Sequence, residues 1–493
     1  MRRDACKAGL AGRIKPVKQR SMKKIYTASV AALIALSQQA GAIPPPSKSP
    51  DSSLWSRNDD IAFKIIEGLT TEVGPRQGGT EAEQRARDWA VNMLKKGGFA
   101  NVGEEQFDMP TWVRGEEKAW VVSPYQMPMA ITALGNSAAT DDKGLEGEIV
   151  YFATYDDLVA ADPAKIKGKI AFVDHQMKRT QDGSSYGQFG RARFIGPNVA
   201  AQKGAKAIII RSIGTDSHRN PHTGNTNFEA GVQPIPAGAI SNPDADNLVR
   251  QVRKAFGTPL VPGMHPDKDW VSTPVKVRLL LTPRNLGQQK SGNVIAEVPG
   301  SNPALPPIVI ACHLDSWDLG TGAFDDAAGC GIITAAASYV KDFGKPKRTI
   351  RLLWAGAEEV GVWGGKAYGA AHKTEPHALA MESDFGADRV WRIDFKLPEN
   401  AKPLADSVAA ALAPLGIVRG KDAAGGGADV EAIIAAQGLG IIDLQQDGTR
   451  YFDLHHTPDD TLDKVDPEQL RQNVVAWTIV LNLVANYEGE LKP

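Results

Sequence analysis

The chain has 493 residues, 42% hydrophobic and 23% charged, enough apolar material for a large buried core spread over two or three domains. Its 56 lysines and arginines nearly cancel its 57 aspartates and glutamates. No global field therefore draws it to nucleic acid or to an anionic membrane, and small or neutral substrates are the default partners.

Residues 1–42 break the charge balance. Arg2, Arg3, Lys7, Arg13, Lys15, Lys18, Arg20, Lys23 and Lys24 face a single acid, Asp4, and an apolar run over 25–36 leads to Ala40-Gly41-Ala42 ahead of Pro44-Pro45-Pro46. This pattern reads as a signal peptide with a basic extension, ending near Ala42. The run is shorter than the ~20 residues that span a bilayer, so the expectation is an exported protein, periplasmic or secreted, with no stable membrane span after cleavage. Cleavage leaves only Cys312 and Cys330, which read as two buried small hydrophobes outside any disulfide framework.

Residues 43–125 open the principal domain. The spacing predicts helices over 61–69 and 80–96, the second with Thr80 and Glu83 at capping-box positions and Gly97-Gly98 as its stop. The stretch from Gly74 to Thr80 between them is a turn by composition, with no chemistry assigned. Over 126–284 the character shifts to short β-rich runs, at 148–153, 169–174 and 207–210, separated by glycine and by loops such as 183–190, and this region reads as an insertion. His218 and His222 lie in it, but Pro221 argues against a helix that would aim both at one metal, leaving a solvated or substrate-facing loop. Residues 285–493 alternate strands (294–298, 308–312, 349–355) with helices (327–341, 467–487), a pattern for a mainly parallel sheet covered by helices on both faces. In such sheets chemistry sits beyond the carboxyl ends of the strands.

The chemistry-bearing residues fall at those ends. The strand ending at Cys312 runs into His313-Leu314-Asp315, where Asp315 can accept the second ring N–H of His313. Gly322-Ala323-Phe324-Asp325-Asp326 sets two adjacent acids before a helix, so that Asp325 can bridge two metals while Asp326 caps, or both can cap. The strand ending at Ala355 leads to Glu358-Glu359, one to bind metal and one to take a proton from water. Asp384 ends Met381-Glu382-Ser383-Asp384, and His455-His456-Thr457 precedes the last helix. Together these supply imidazoles and carboxylates, the borderline N/O set that suits zinc.

These motifs, in this order, resemble the M28 family of zinc aminopeptidases and carboxypeptidases over essentially the whole mature chain. The resemblance implies a zinc exopeptidase fold, peptide substrates, two Zn2+ per chain and a homodimer. It makes Asp325 the bridging ligand, pairs His313 with Asp384 on one zinc and Glu359 with His456 on the other, and gives Glu358 the role of general base. It further implies a cis peptide between Asp325 and Asp326, and the inserted region resembles a protease-associated domain, with His222 in a candidate substrate loop. Several relatives carry a tyrosine where this chain has His455, which leaves His455 either to donate to the oxyanion or to support the ligands from behind.

The resulting reading is an exported dinuclear zinc exopeptidase acting on dipeptides or short peptides as an aminopeptidase or dipeptidase. Carboxypeptidase polarity, a binding protein on a peptidase fold and a single-zinc glutaminyl cyclase are the alternatives. The full ligand set argues against the second and the insertion against the third. Arg389, Arg419 and Arg450 are the cations named for a substrate carboxylate.

Overall fold

The computed structural model describes residues 60–255 and 273–493. The signal-peptide reading lies outside the described residues. Within them no helix is long and apolar enough to cross a membrane.

Two eight-stranded sheets organise the fold. The first runs Ala100–Val113, Arg284–Val298, Ile350–Ala355, Ile308–His313, Leu379–Glu382, Gly440–Gln446, Val390–Lys396 and Val418–Arg419. Its centre is parallel: Ile308–His313 pairs in parallel with both Ile350–Ala355 and Leu379–Glu382, which in turn pairs in parallel with Gly440–Gln446. These strands are apolar on both faces because both faces are covered, and every residue of Ile308–His313 is buried. The helix Ala328–Phe343 is buried along most of its length, and Pro467–Ala485 is buried likewise. The doubly covered α/β layer expected from the alternation is present, and the helices at 61–68, 81–96 and 328–343 start within a residue of their predicted positions. Thr80 caps the second through the Glu83 amide at 3.3 Å, whereas the Glu83 carboxylate takes the Gly79 amide at 2.7 Å.

The second sheet runs Met127–Met129, Glu117–Ser123, Lys276–Leu281, Leu145–Phe152, Ile170–Val173, Ala207–Arg211, Ala237–Ile240 and Ile131–Ala133. Its first strand starts at Glu117, ahead of residue 126. The segment 183–190, read from sequence as a loop, is largely helical: Ser185–Phe194 is an α-helix. Gly187 and Gly190 interrupt any apolar periodicity there, so packing rather than local preference sets the conformation.

A second correction concerns the cysteines. Cys312 and Cys330 form a disulfide rather than two separate buried thiols. The end of one strand and the first turn of the following helix bring their Cα atoms to 5.1 Å, inside the range a bridge spans. The bridge closes the loop that carries His313, Asp315, Asp325 and Asp326.

Candidate metal centre

Three of the five candidate ligands sit at or just beyond strand ends. His313 is the last residue of its strand, Glu359 follows Ile350–Ala355 and Asp384 follows Leu379–Glu382. The three strands are adjacent and parallel, so their carboxyl ends open on one place. Asp325 and His456 enter from loops, with the Asp325–Asp326 peptide bond cis and His456 at a φ of 61°.

The two carboxylate oxygens of Asp325 face different partners. Oδ1 lies 3.1 Å from His313 Nε2, which is also 3.3 Å from Asp384 Oδ1. Oδ2 lies 3.3 Å from His456 Nε2, which is 2.9 Å from Glu359 Oε2. Donor atoms on a tetrahedral zinc with bonds of about 2.0–2.1 Å are about 3.3 Å apart. Asp325 Oδ2, Glu359 Oε1 and Asp384 Oδ1 are buried with no hydrogen-bond partner, an arrangement that costs free energy unless a cation meets them. The donor set therefore fits two divalent ions sharing Asp325.

The electrostatics point the same way. Burial works against an ionised Asp325, but the adjoining imidazoles of His313 and His456 outweigh it and hold its carboxyl well below the usual range. Burial pushes Glu359 well above that range, with the charge on Asp325 adding to the effect. Burial likewise lifts Glu358 to about 8, helped by the charges of Asp384, Asp315 and Asp325. So many carboxylates cannot all ionise together without cations among them. His456 is pushed down to about 4, mainly by burial, which leaves a neutral imidazole suited to ligation.

Each imidazole is aimed from behind. His313 Nδ1 is 3.0 Å from the main-chain carbonyl of Asp315 and 3.7 Å from its carboxylate. The backbone, not the Asp315 side chain as expected, is thus the nearer acceptor. The Asp315 carboxylate instead receives the Glu358 amide at 2.9 Å and so fixes the turn that carries the paired glutamates. Asp326 does act as a cap, accepting the Gly329 amide at 2.9 Å, and also accepts the His313 amide at 3.2 Å. His456 Nδ1 faces the carbonyl of Thr223 at 3.1 Å, and the Thr223 amide donates to the His456 carbonyl at 3.0 Å. The second-sheet segment thereby orients a candidate ligand. His455 stacks on His456 with ring centroids 3.4 Å apart, its Nε2 3.7 Å from Asp325 Oδ2.

His222 is not in a solvated or substrate-facing loop. It is fully buried, with one ring nitrogen 2.5 Å from Asp216 and the other 2.8 Å from the carbonyl of His455. Pro221 removes the helix, as read, but Asp216 six residues back and the His455 loop each supply a partner.

A cleft of about 450 Å³ opens on this cluster, lined among others by Glu358, Glu359, Asp384, His455, His456 and, from the second-sheet segment, Tyr186 and Arg193. The arginines named from sequence do not line it: Arg450 is held by Asp388 at 2.6 Å and Arg419 by Asp406 at 2.5 Å.

Residues 293–480 match the model of peptidase family M28. Carboxypeptidase Q from Bos taurus is 31% identical over 442 residues, 89% of this chain and 88% of that protein. The chain belongs to peptidase family M28. It is accordingly a metallopeptidase, similar along most of its length to Carboxypeptidase Q. Among solved structures, a peptidase M28 precursor from Shewanella amazonensis SB2B superposes with a TM-score of 0.83 at 43% identity, covering 90% of this chain and 96% of that one. A zinc aminopeptidase from Bacillus subtilis shares the fold, with a TM-score of 0.61 at 20% identity, covering 87% and 96%.

Two supports of this M28 site went unread in the sequence. Arg76, in the turn given no chemistry, is fully buried and donates to the carbonyls of Leu314 and Thr321 at 2.6 Å each and of Gly322 at 2.9 Å. Asp460 accepts the amides of Phe324 at 2.7 Å and Asp325 at 3.2 Å. Both act on main-chain groups distant in sequence, which no local motif reports.

Proposed function

We propose that this metallopeptidase is an exported dinuclear zinc exopeptidase acting on dipeptides and short peptides. Asp325 would be shared between the ions, with His313 and Asp384 completing one site and Glu359 and His456 the other. The observation that carries the reading is the division of Asp325, with one oxygen toward each imidazole. The disulfide adds support for export, since such bonds persist in oxidising compartments. The resemblance-based division of the chain, with 126–284 as a protease-associated-like insertion between 43–125 and 285–493, is part of the same proposal, as is a homodimer.

Bound zinc supplies the positive charge that acidifies water and polarises the peptide carbonyl. The chain's residues do the rest. Glu358, partly open to the cleft, accepts the proton of the attacking water and passes it to the departing amine as the C–N bond breaks. The Asp315 carboxylate, through the Glu358 amide, holds the base in place.

The test is mass spectrometry of products from an unsymmetrical dipeptide and tripeptide, with zinc-loaded protein and a chelated control. Loss of the tripeptide's N-terminal residue establishes an aminopeptidase, loss of its C-terminal residue a carboxypeptidase, and cleavage of the dipeptide alone a dipeptidase. Absence of chelator-sensitive cleavage overturns the proposal.

A further inference from the structure

The cleft is also lined by a phenol and a guanidinium from the second-sheet segment, Tyr186 and Arg193. Tyr186 lies in the helix Ser185–Phe194, its ring edge-on to His455 at 5.2 Å and stacked on Phe452 at 4.9 Å. Arg193 lies two turns further along the same helix, so the two side chains share a face. Arg193 is 1% exposed. One Nη donates to the Thr223 carbonyl at 3.2 Å and lies 3.4 Å from His456 Nδ1, the other Nη donates to the Tyr186 hydroxyl, and Nε is buried with no partner. Its guanidinium lies over the rings of Phe194 at 4.5 Å and Tyr186 at 5.3 Å, and among the described residues no carboxylate pairs with it. A buried cation without a carboxylate is costly and persists where negative charge arrives from elsewhere.

The direction of the hydrogen bond matters. Arg193 donates and the phenol oxygen accepts, so the phenol keeps its own proton for another acceptor, and no acceptor for it lies among the described residues. Burial pushes the Tyr186 phenol up to about 12, so it is a donor throughout the working range. Electrophilic backing by a guanidinium strengthens such a donor, because charge moved onto the phenol oxygen is met at once. Gly224 makes room for the pair: at a φ of 144°, a Cβ there would lie 2.4 Å from Arg193 Cζ.

We infer that Tyr186, with Arg193 as its positioning residue, donates a hydrogen bond to the peptide oxygen as that oxygen becomes negative during hydrolysis. The inference rests on the peptidase reading. In the step, the oxygen of water bonds to the carbonyl carbon, the water proton passes to Glu358, and the carbonyl π pair moves onto oxygen, where Tyr186 meets it. Collapse returns that pair to re-form the carbonyl, and the C–N bond breaks with the proton delivered to the amine. Preorganised donors aimed at developing charge act on turnover rather than on ground-state binding. His455, its ring between Tyr186 and His456, then serves as support for the ligands.

The experiment measures kcat and KM for Tyr186→Phe and Arg193→Lys in the zinc-loaded mature protein, on a dipeptide and on its C-terminal amide, with zinc content and the affinity of a phosphinic analogue of the dipeptide. The expected result for Tyr186→Phe is a fall in kcat of about 10²–10³-fold on both substrates. KM and zinc content should stay near wild type, with the phosphinic analogue weakened in proportion to the lost turnover. Arg193→Lys, which keeps the charge, should retain part of the turnover and the same KM. Wild-type kcat in Tyr186→Phe overturns the inference. So does a loss confined to KM for the free-carboxylate substrate, which would make Tyr186 a reader of the C-terminus. A wild-type protein that cleaves neither substrate overturns the peptidase reading itself.

Discussion

Arg76 offers a sharp test of how the centre is held. Its guanidinium ties together the main chain after His313 and the main chain before Asp325, through Leu314, Thr321 and Gly322. In Arg76→Met the Leu314 carbonyl is left buried with no donor, the Gly322 carbonyl keeps the Ala327 amide at 3.1 Å, and the Thr321 carbonyl is only part-buried and can be rehydrated. One orphaned acceptor puts the loss at about 1–3 kcal/mol. The removed charge also stood near Asp460, Asp315, Asp326 and Asp325, so the metal-free protein should lose more than the zinc-loaded one. Urea denaturation of both forms, with zinc content by elemental analysis, measures this, and Arg76→Lys, which keeps the charge but offers one nitrogen, should fall between. A wild-type midpoint and full zinc content in Arg76→Met refute the reasoning.

Glu358→Gln should lower turnover by about 10²–10⁴-fold with both zinc ions retained, read by steady-state kinetics beside metal analysis. His222→Ala removes the buried support under the His455 carbonyl and should weaken one of the two zinc ions by about 10–100-fold, seen as a biphasic chelator titration where the wild type loses its ions together. For Glu375 the hydrogen bond from Arg351 leads the causes that hold its carboxyl down at about 2, against an ordinary 4.5. A depressed carboxyl contributes stability above its unfolded value and loses it as pH falls through the folded one. The Tm deficit of Glu375→Gln should therefore be full above pH 4.5 and vanish by about pH 2. A deficit unchanged across that window would show that the pairing is not electrostatic.

His313, Glu359 and Asp384 were legible because each sits at or just beyond a strand terminus, where an apolar run stops and polar residues begin, and parallel topology gathers such ends. What stayed hidden depended on contacts through space. Nothing in Pro221-His222-Thr223 reveals that a ring and a carbonyl of this loop meet the His455-His456 loop. Arg76 serves carbonyls more than two hundred residues away. The strand Ala100–Val113 lacks an apolar alternation because most of it is only partly covered, and the helix bearing Tyr186 is masked by its own glycines. The cysteine pair required the distance between a strand end and a helix start, which spacing alone leaves open.

Val113 and Arg284 face each other at the last rung of an antiparallel ladder. The chain thus departs for the second sheet and comes back through neighbouring positions, so the departing segment could be exchanged for another of any length without rewiring the first sheet. Architecturally it is a cassette. Yet the carbonyl of Thr223 on His456 Nδ1 belongs to that cassette. A shortened chain would be expected to keep its ladder and lose the aim of one imidazole, so that what topology makes replaceable, coordination makes obligatory.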